Sequence, residues 1–180
     1  MKIVAVVGNP KPRSRTLGVA TTVAQTLADG LGGGPTAPTI SVIELADHAA
    51  EMFSWESAPL GTLTDQVAGS DLVVFASPTY KGAYTGLLKA FLDRYPSDGL
   101  HGVVAVPVMT GAAAVHALAV EVHLRPLLVD LGATVPTRGL YVLESQLGDL
   151  EPVVQAWSVQ ADPLIRRALG VGDAAQGNDP

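Results

Sequence analysis

The sequence predicts an α/β protein with three layers, αβα, built around a five-stranded parallel sheet. Three observations carry that expectation. Short apolar runs alternate along the chain with longer stretches of helical periodicity, the pattern of strands joined by helical crossovers. The runs LVVFA and VVAVPV are continuously apolar rather than alternating, which suits strands covered on both faces. The chain has 180 residues, 48% of them hydrophobic and only 16% charged, so one domain can bury a core on both sides of a sheet.

In chain order, strands are expected at 2–8, 39–45, 71–77, 102–109 and 139–143. Leu17, Ala20, Val23, Ala24 and Leu27 form a helical stripe after the first strand. The glycine-rich LGGGPTAP at 31–38 reads as a turn from that helix into the second strand. Leu87, Leu88, Phe91 and Leu92 form a second stripe, and Val115, Leu118, Ala119 and Val122 a third. Val153, Val154, Trp157 and Ile165 form a weaker fourth. After Leu169 no large apolar side chain follows Val171, so residues 1–170 are expected to form the domain and 171–180 a disordered tail. Two strand orders suit such a chain, 2-1-3-4-5 and the Rossmann order. In both, ligands gather at the carboxyl ends of the strands, near the point where the order reverses.

Composition removes several function classes. A formal net charge of −6 argues against nucleic-acid binding, which needs a basic stripe. With no cysteine there is no thiol nucleophile, disulfide or Cys-based metal site, and this fits a reducing cytoplasm. No apolar run reaches the ~18 residues of a membrane span, and Lys2 leading into a strand is not a signal peptide, so no membrane partner is expected.

Three loops that follow strands carry the chemistry. The first is GNPKPRSRT, where an apolar strand passes through a cationic turn onto a helix N-terminus. Free N–H groups and the helix dipole favour an anion there, and Ser14, Arg15 and Thr16 add hydroxyls and a guanidinium fork. The loop is neither G-x-G-x-x-G nor a Walker A sequence, and Glu44 is the nearest acidic residue to the end of the second strand. The plain alternative is that Ser14 is simply a helix N-cap. The second loop, SPTYKGAYTG, has Pro78 to stiffen the strand exit. Thr79 and Tyr80 then offer backbone N–H groups, a hydroxyl and an aromatic face, and Gly82 and Gly86 allow close approach. Such a mix suits a planar heterocycle; packing of Tyr80 and Tyr84 on a neighbour is the alternative. At the third loop, strand gives way to helix at Thr110-Gly111, and small residues keep the space above the sheet open.

Other polar groups read as structural. Asp65 and Asp71 belong to a helix-to-strand connection, and Asp93-Arg94 to a solvated helix end. Phe53 and Trp55, among Asp47, Glu51 and Glu56, either cover a ligand or meet a partner subunit. His116 and His123 lie seven apart without cysteines or clustered acids, so no metal site is expected.

The segments GNPKPRSRT, ASPTYKGAYTGLLKAFLDRYP and PVMTGAAAVHALAVEVHLRPLLVDLGA together resemble the NAD(P)H-dependent FMN reductase family of flavodoxin-like fold. The closest likeness is to the branch that supplies reduced flavin to alkanesulfonate-type monooxygenases. The resemblance runs from residue 1 to about 145 and implies the order 2-1-3-4-5. It assigns the FMN phosphate to Ser14, Arg15 and Thr16, with Asn9 where the family commonly has Ser. It assigns the isoalloxazine contacts to Pro78, Thr79, Tyr80 and Lys81, and further ring contacts to Thr110 and Gly111. The family's usual Gly-Gly is Gly111-Ala112 here, which sets a methyl at the benzenoid edge of the ring. An aromatic residue that can stand mid-helix in the alkanesulfonate branch is absent around Val122 and His123, so flavin as prosthetic group and flavin as substrate both stay open.

The implied activity is hydride transfer from NADH or NADPH to FMN, with no catalytic side chain because the flavin does the chemistry. The N–H groups of the Tyr80-Lys81 turn, with Lys81, would stabilise the charge that grows on the ring. A flavin-dependent monooxygenase is the implied partner. Alternatives are a reductase of quinones, azo dyes or metal oxyanions with fixed FMN, and a flavodoxin-type electron carrier. Exposed apolar residues in 83–95 and 113–130 lead to the expectation of a homodimer or homotetramer.

Overall fold

A computed structural model describes residues 1–32 and 37–171. Its five parallel strands are β1 (Lys2–Val7), β2 (Thr39–Glu44), β3 (Leu72–Pro78), β4 (Val104–Gly111) and β5 (Leu140–Leu143). They lie in the order β2-β1-β3-β4-β5, which selects 2-1-3-4-5 from the two candidate orders. Register follows directly: Val4 pairs with Ser41 on one side and with Val73 on the other, and Val73 pairs with Ala105.

Because side chains alternate across a strand, a continuously apolar run supplies both faces. Ile3, Ala5 and Val7 of β1, with Leu72, Val74 and Ala76 of β3, pack beneath α1 (Arg15–Leu31) and α5 (Leu150–Ala168). Val4, Val6, Val73 and Phe75 face the opposite layer, which holds α2 (Ala58–Ala68), α3 (Gly86–Leu92) and α4 (Arg125–Asp130). Each fully buried Leu, Val or Phe side chain contributes about 1.5–3 kcal/mol. The expected α1 stripe is buried at Ala20, Val23, Ala24 and Leu27, with Leu17 at its edge. In α5 the buried face is Val154, Ser158, Ala161 and Ile165, while Val153 and Trp157 are half-buried.

The third stripe is corrected. Val115, Leu118 and Val122 are 82%, 70% and 56% exposed, and the buried face is Ala119, Val120, Leu124 and Leu128. The segment is not one helix: a three-ten turn spans Ala114–His116 and a π-helical turn spans Val120–Leu124 before α4 begins. Val115 and Leu118 precede regular helix, in a three-ten turn and the turn after it, where a period of 3.6 does not hold. The π turn then inserts one residue and takes Val122 off the buried face. Arg94 is corrected as well. Its guanidinium donates to the carbonyls of Ser54 and Trp55 at 3.0 and 3.1 Å and stacks on the Trp55 ring, strapping the segment after β2 onto the end of α3. Residues 33–36 of the expected turn and 172–180 of the expected tail lie outside the described residues. Among the described residues no helix is long and apolar enough to cross a membrane.

Candidate functional site

All three sequence-predicted loops meet at the carboxyl edge of the sheet. The first leaves β1 at Gly8, whose N–H donates to the Ala76 carbonyl at 2.7 Å. A Cβ at Gly8 would fall 2.6 Å from Leu88 Cβ, so only glycine lets α3 pack this close. Asn9 then organises the turn. Its Oδ1 accepts from the Lys11 N–H at 2.9 Å, and its Nδ2 donates to Thr16 Oγ1 at 3.1 Å. Thr16 Oγ1 lies 3.1 Å from Thr110 Oγ1. These three buried side chains form one polar chain that ties the exit of β1 to the first turn of α1 and the end of β4.

Arg13 adopts a left-handed φ of 50°, held by its N–H donating to Glu44 Oε2 at 2.8 Å. That turn delivers Ser14 as the N-cap of α1, its Oγ accepting from the Leu17 N–H at 3.3 Å. The N-cap reading of Ser14 is therefore correct, and it leaves the hydroxyl proton free to donate. The N–H groups of Ser14, Arg15 and Thr16 have no acceptor among the described residues. Three orphan donors on a 17-residue helix, with Lys11, Arg13 and Arg15 around them, fit a phosphate.

The second loop differs from expectation in its donors. The Thr79 N–H goes to the Thr110 carbonyl at 2.7 Å, and the Tyr80 N–H to the Ala83 carbonyl at 2.9 Å. Ala83 returns its own N–H to the Tyr80 carbonyl at 3.2 Å. Lys81 and Gly82 between them have φ of 54° and 81°, the double left-handed step of a tight hairpin turn. So the open amides are those of Lys81 and Gly82 at the tip, two residues beyond Thr79 and Tyr80. The Tyr80 ring is half exposed beside them.

The third loop also departs from the reading. β4 continues through Gly111, and the space above that residue is not open, because the Tyr141 hydroxyl lies over it. Tyr141 donates to the Ala113 carbonyl at 3.2 Å and accepts from Thr79 Oγ1 at 3.5 Å, joining the second and third loops.

Asn9, Ser14, Arg15, Thr16, Pro78, Tyr80 and Thr110 line one cavity of about 390 Å³, whereas Thr79, Lys81 and Gly111 belong to the same loops but not to its wall. Lys11, Arg13, Glu144 and Leu147 complete the lining. Glu144 was not among the expected site residues, although it is the first residue after β5 and the carboxyl-end rule points to it. It meets Arg15 in a two-pronged pair, Nη1 to Oε2 at 3.0 Å and Nη2 to Oε1 at 2.9 Å. Phe53 and Trp55 are exposed and stand outside this wall. His116 sits at the tip of the second loop, near Gly82, while His123 lies in the π turn. Among the described residues no three His, Asp or Glu side chains are gathered to hold a metal.

A sequence profile of the NADPH-dependent FMN reductases matches residues 1–148. The chain belongs to this family. It is an oxidoreductase of the NAD(P)H-dependent FMN reductase class, with FMN and reduced nicotinamide as its cofactors. It is 34% identical to an FMN reductase (NADPH) of Pseudomonas aeruginosa over 172 residues, 92% of this chain and 86% of that one. With the FMN reductase (NADPH) of Escherichia coli it shares 39% identity over 95 residues, about half of each chain. An NADH-dependent FMN reductase of Pseudomonas putida, SfnE, is 29% identical over 94% of this chain and 91% of its own. Among solved structures, the apo form of an NADH:FMN oxidoreductase superposes with a TM-score of 0.75 at 27% identity, covering 88% of this chain and 89% of the other. A flavodoxin-like WrbA-type protein of Agrobacterium tumefaciens, at 17% identity and a TM-score of 0.60, shares the fold.

Proposed function

We propose that the cavity at the carboxyl edge seats FMN, with the phosphate on the first turn of α1 and the ring along the Pro78–Lys81 bend. The single observation that carries this reading is the set of unsatisfied N–H donors at Ser14, Arg15 and Thr16, opening into the same cavity as Pro78 and Tyr80. A phosphate accepts from several donors at once, and a charge-assisted hydrogen bond contributes about 1.5–3 kcal/mol. Arg15→Ala should therefore weaken FMN by that order, while riboflavin, which lacks the phosphate, binds as before. Fluorescence titration of both flavins checks it; unchanged FMN affinity would refute the phosphate seat.

When bound, the flavin supplies hydride acceptance from nicotinamide, which is why the site needs no acid, base or nucleophile. The chain's contribution is position and electrostatics. Asn9, Thr16 and Thr110 hold the turn rigid from beneath, so the donors of α1 need no reorganisation when an anion arrives. The Lys81 and Gly82 amides, unpaired among the described residues, would supply hydrogen-bond donors to a ring whose negative charge grows on reduction. Left-handed Arg13 and Lys81 stand in the first and second loops respectively, strain of the order of 1–3 kcal/mol each that the surrounding hydrogen bonds maintain.

The reading extends to delivery of reduced flavin to a two-component monooxygenase in the cytoplasm. The relatives named SfnE and SfnF, NADH-dependent FMN reductases, support a flavin-supplying role. The exposed Val115, Leu118, Val122 and Val129 support a homodimer or homotetramer, for which light scattering at micromolar concentration is the measurement.

A further inference from the structure

Arg15, the side chain best suited to grip a phosphate, is already gripped. Both of its terminal nitrogens donate to the two carboxylate oxygens of Glu144, at 3.0 and 2.9 Å, across the wall of the cavity. A carboxylate and a phosphate make the same demand on a guanidinium: two parallel acceptors for two parallel N–H groups. The fork cannot present that edge to both at once. The pair is also easily parted, since the side chains are 66% and 40% exposed, a setting where such pairs contribute about 0–1 kcal/mol. The Ser14, Arg15 and Thr16 amides meanwhile have no acceptor among the described residues. An incoming phosphate would thus meet the amides first and take the guanidinium from Glu144 second. Once there, it would share the cavity with a displaced negative charge.

We propose that Glu144 is a built-in competitor for the flavin phosphate: it holds the Arg15 fork, lowers FMN affinity without touching the ring, and so keeps the flavin exchangeable. This rests on the phosphate seat assigned above and deepens it, since it selects FMN as a substrate that comes and goes over FMN as a fixed prosthetic group. Among the described residues nothing else in the cavity wall opposes an anion, because Lys11, Arg13 and Arg15 are all cationic and the remaining lining is uncharged.

The test is fluorescence titration of FMN and riboflavin against the full chain, Glu144→Gln, Arg15→Ala and the double variant. It is run at about 0.01 M salt and again at about 1 M, where the screening length falls to ~3 Å. Glu144→Gln should tighten FMN roughly tenfold at low salt, the order expected for removing one charge a few ångströms from a dianion in water. It should leave riboflavin unchanged, and the gain should shrink at high salt and in the Arg15→Ala background. If the wild-type chain prefers FMN to riboflavin but Glu144→Gln binds FMN no more tightly, the competitor assignment is overturned and the phosphate seat stands. If wild type and Glu144→Gln both bind the two flavins alike, the seat itself is wrong and the proposal goes with it.

Discussion

The Tyr141 hydroxyl occupies the place where a side chain at Gly111 would begin: a Cβ there would lie 2.0 Å from the phenolic oxygen and 3.2 Å from Thr79 Oγ1. One residue at the end of β4 and one in β5 thus determine how the second and third loops of the site sit together. The absence of a side chain at Gly111 is required by a neighbouring strand, not only by room for a ligand.

Gly111→Ala should therefore push Tyr141 out of its position, breaking its contacts with Ala113 and Thr79, at a cost of about 1–3 kcal/mol. Tyr141→Phe removes the clashing oxygen, so the double variant should recover part of that loss. Urea midpoints of the two single variants and the double form the cycle, and the two effects should be clearly non-additive. Simple additivity would mean that the pair does not interact.

Thr85 joins the first and second loops at their roots. Its hydroxyl donates to the Gly8 carbonyl and caps α3 by accepting from the Leu88 N–H at 3.1 Å, while its own N–H reaches Ser77 Oγ at 3.0 Å. The side chain is buried, so Thr85→Val leaves a buried carbonyl and a buried N–H without partners. A loss of about 1–3 kcal/mol in chemical denaturation is expected. Weaker flavin binding should accompany it, because Gly8 begins the phosphate loop.

Tyr95 gives a pH dependence with a defined sign. Burial raises its phenol far above the ordinary tyrosine range, with a smaller contribution from the Asp65 carboxylate. The hydroxyl donates to the Thr64 carbonyl at 3.2 Å, and the ring packs edge-on against Phe91. Below the unfolded pKa of about 10 both states are protonated and stability does not depend on this group. Above it only the unfolded chain ionises, so stability falls as pH rises. Urea midpoints followed upward from about pH 9 should decline less steeply in Tyr95→Phe than in wild type. Parallel curves for the two proteins would show that Tyr95 is not the group responsible.

Much of the site was readable because each of its loops announces itself along the chain. A buried strand ending in GNPKPRSRT can only deliver Ser14, Arg15 and Thr16 to a helix start, and α1 begins at Arg15. What failed was reading donors as free from residue type alone. The Thr79 and Tyr80 amides are consumed by Thr110 and Ala83, a fact of β-pairing and turn geometry that no residue identity reveals. The stripe through Val115 and Val122 fails for a related reason: Val115 lies in a three-ten turn ahead of the helix and Val122 inside a π turn, so no single 3.6 period runs through both.

By itself, the sequence determined the layers of the sheet, the loops that carry the ligand chemistry and the helix end that takes an anion, because hydrophobic period and local caps are properties of neighbours along the chain. Only the tertiary structure decided that Glu144 faces Arg15 and that Tyr141 covers Gly111. Those pairs are 129 and 30 residues apart: Tyr141 reaches Gly111 because β5 packs beside β4, and Glu144 reaches Arg15 because α1, though it follows β1, packs against α5 on the same face of the sheet. Contacts between strand ends depend on sheet order and register, and distance in sequence carries no record of either.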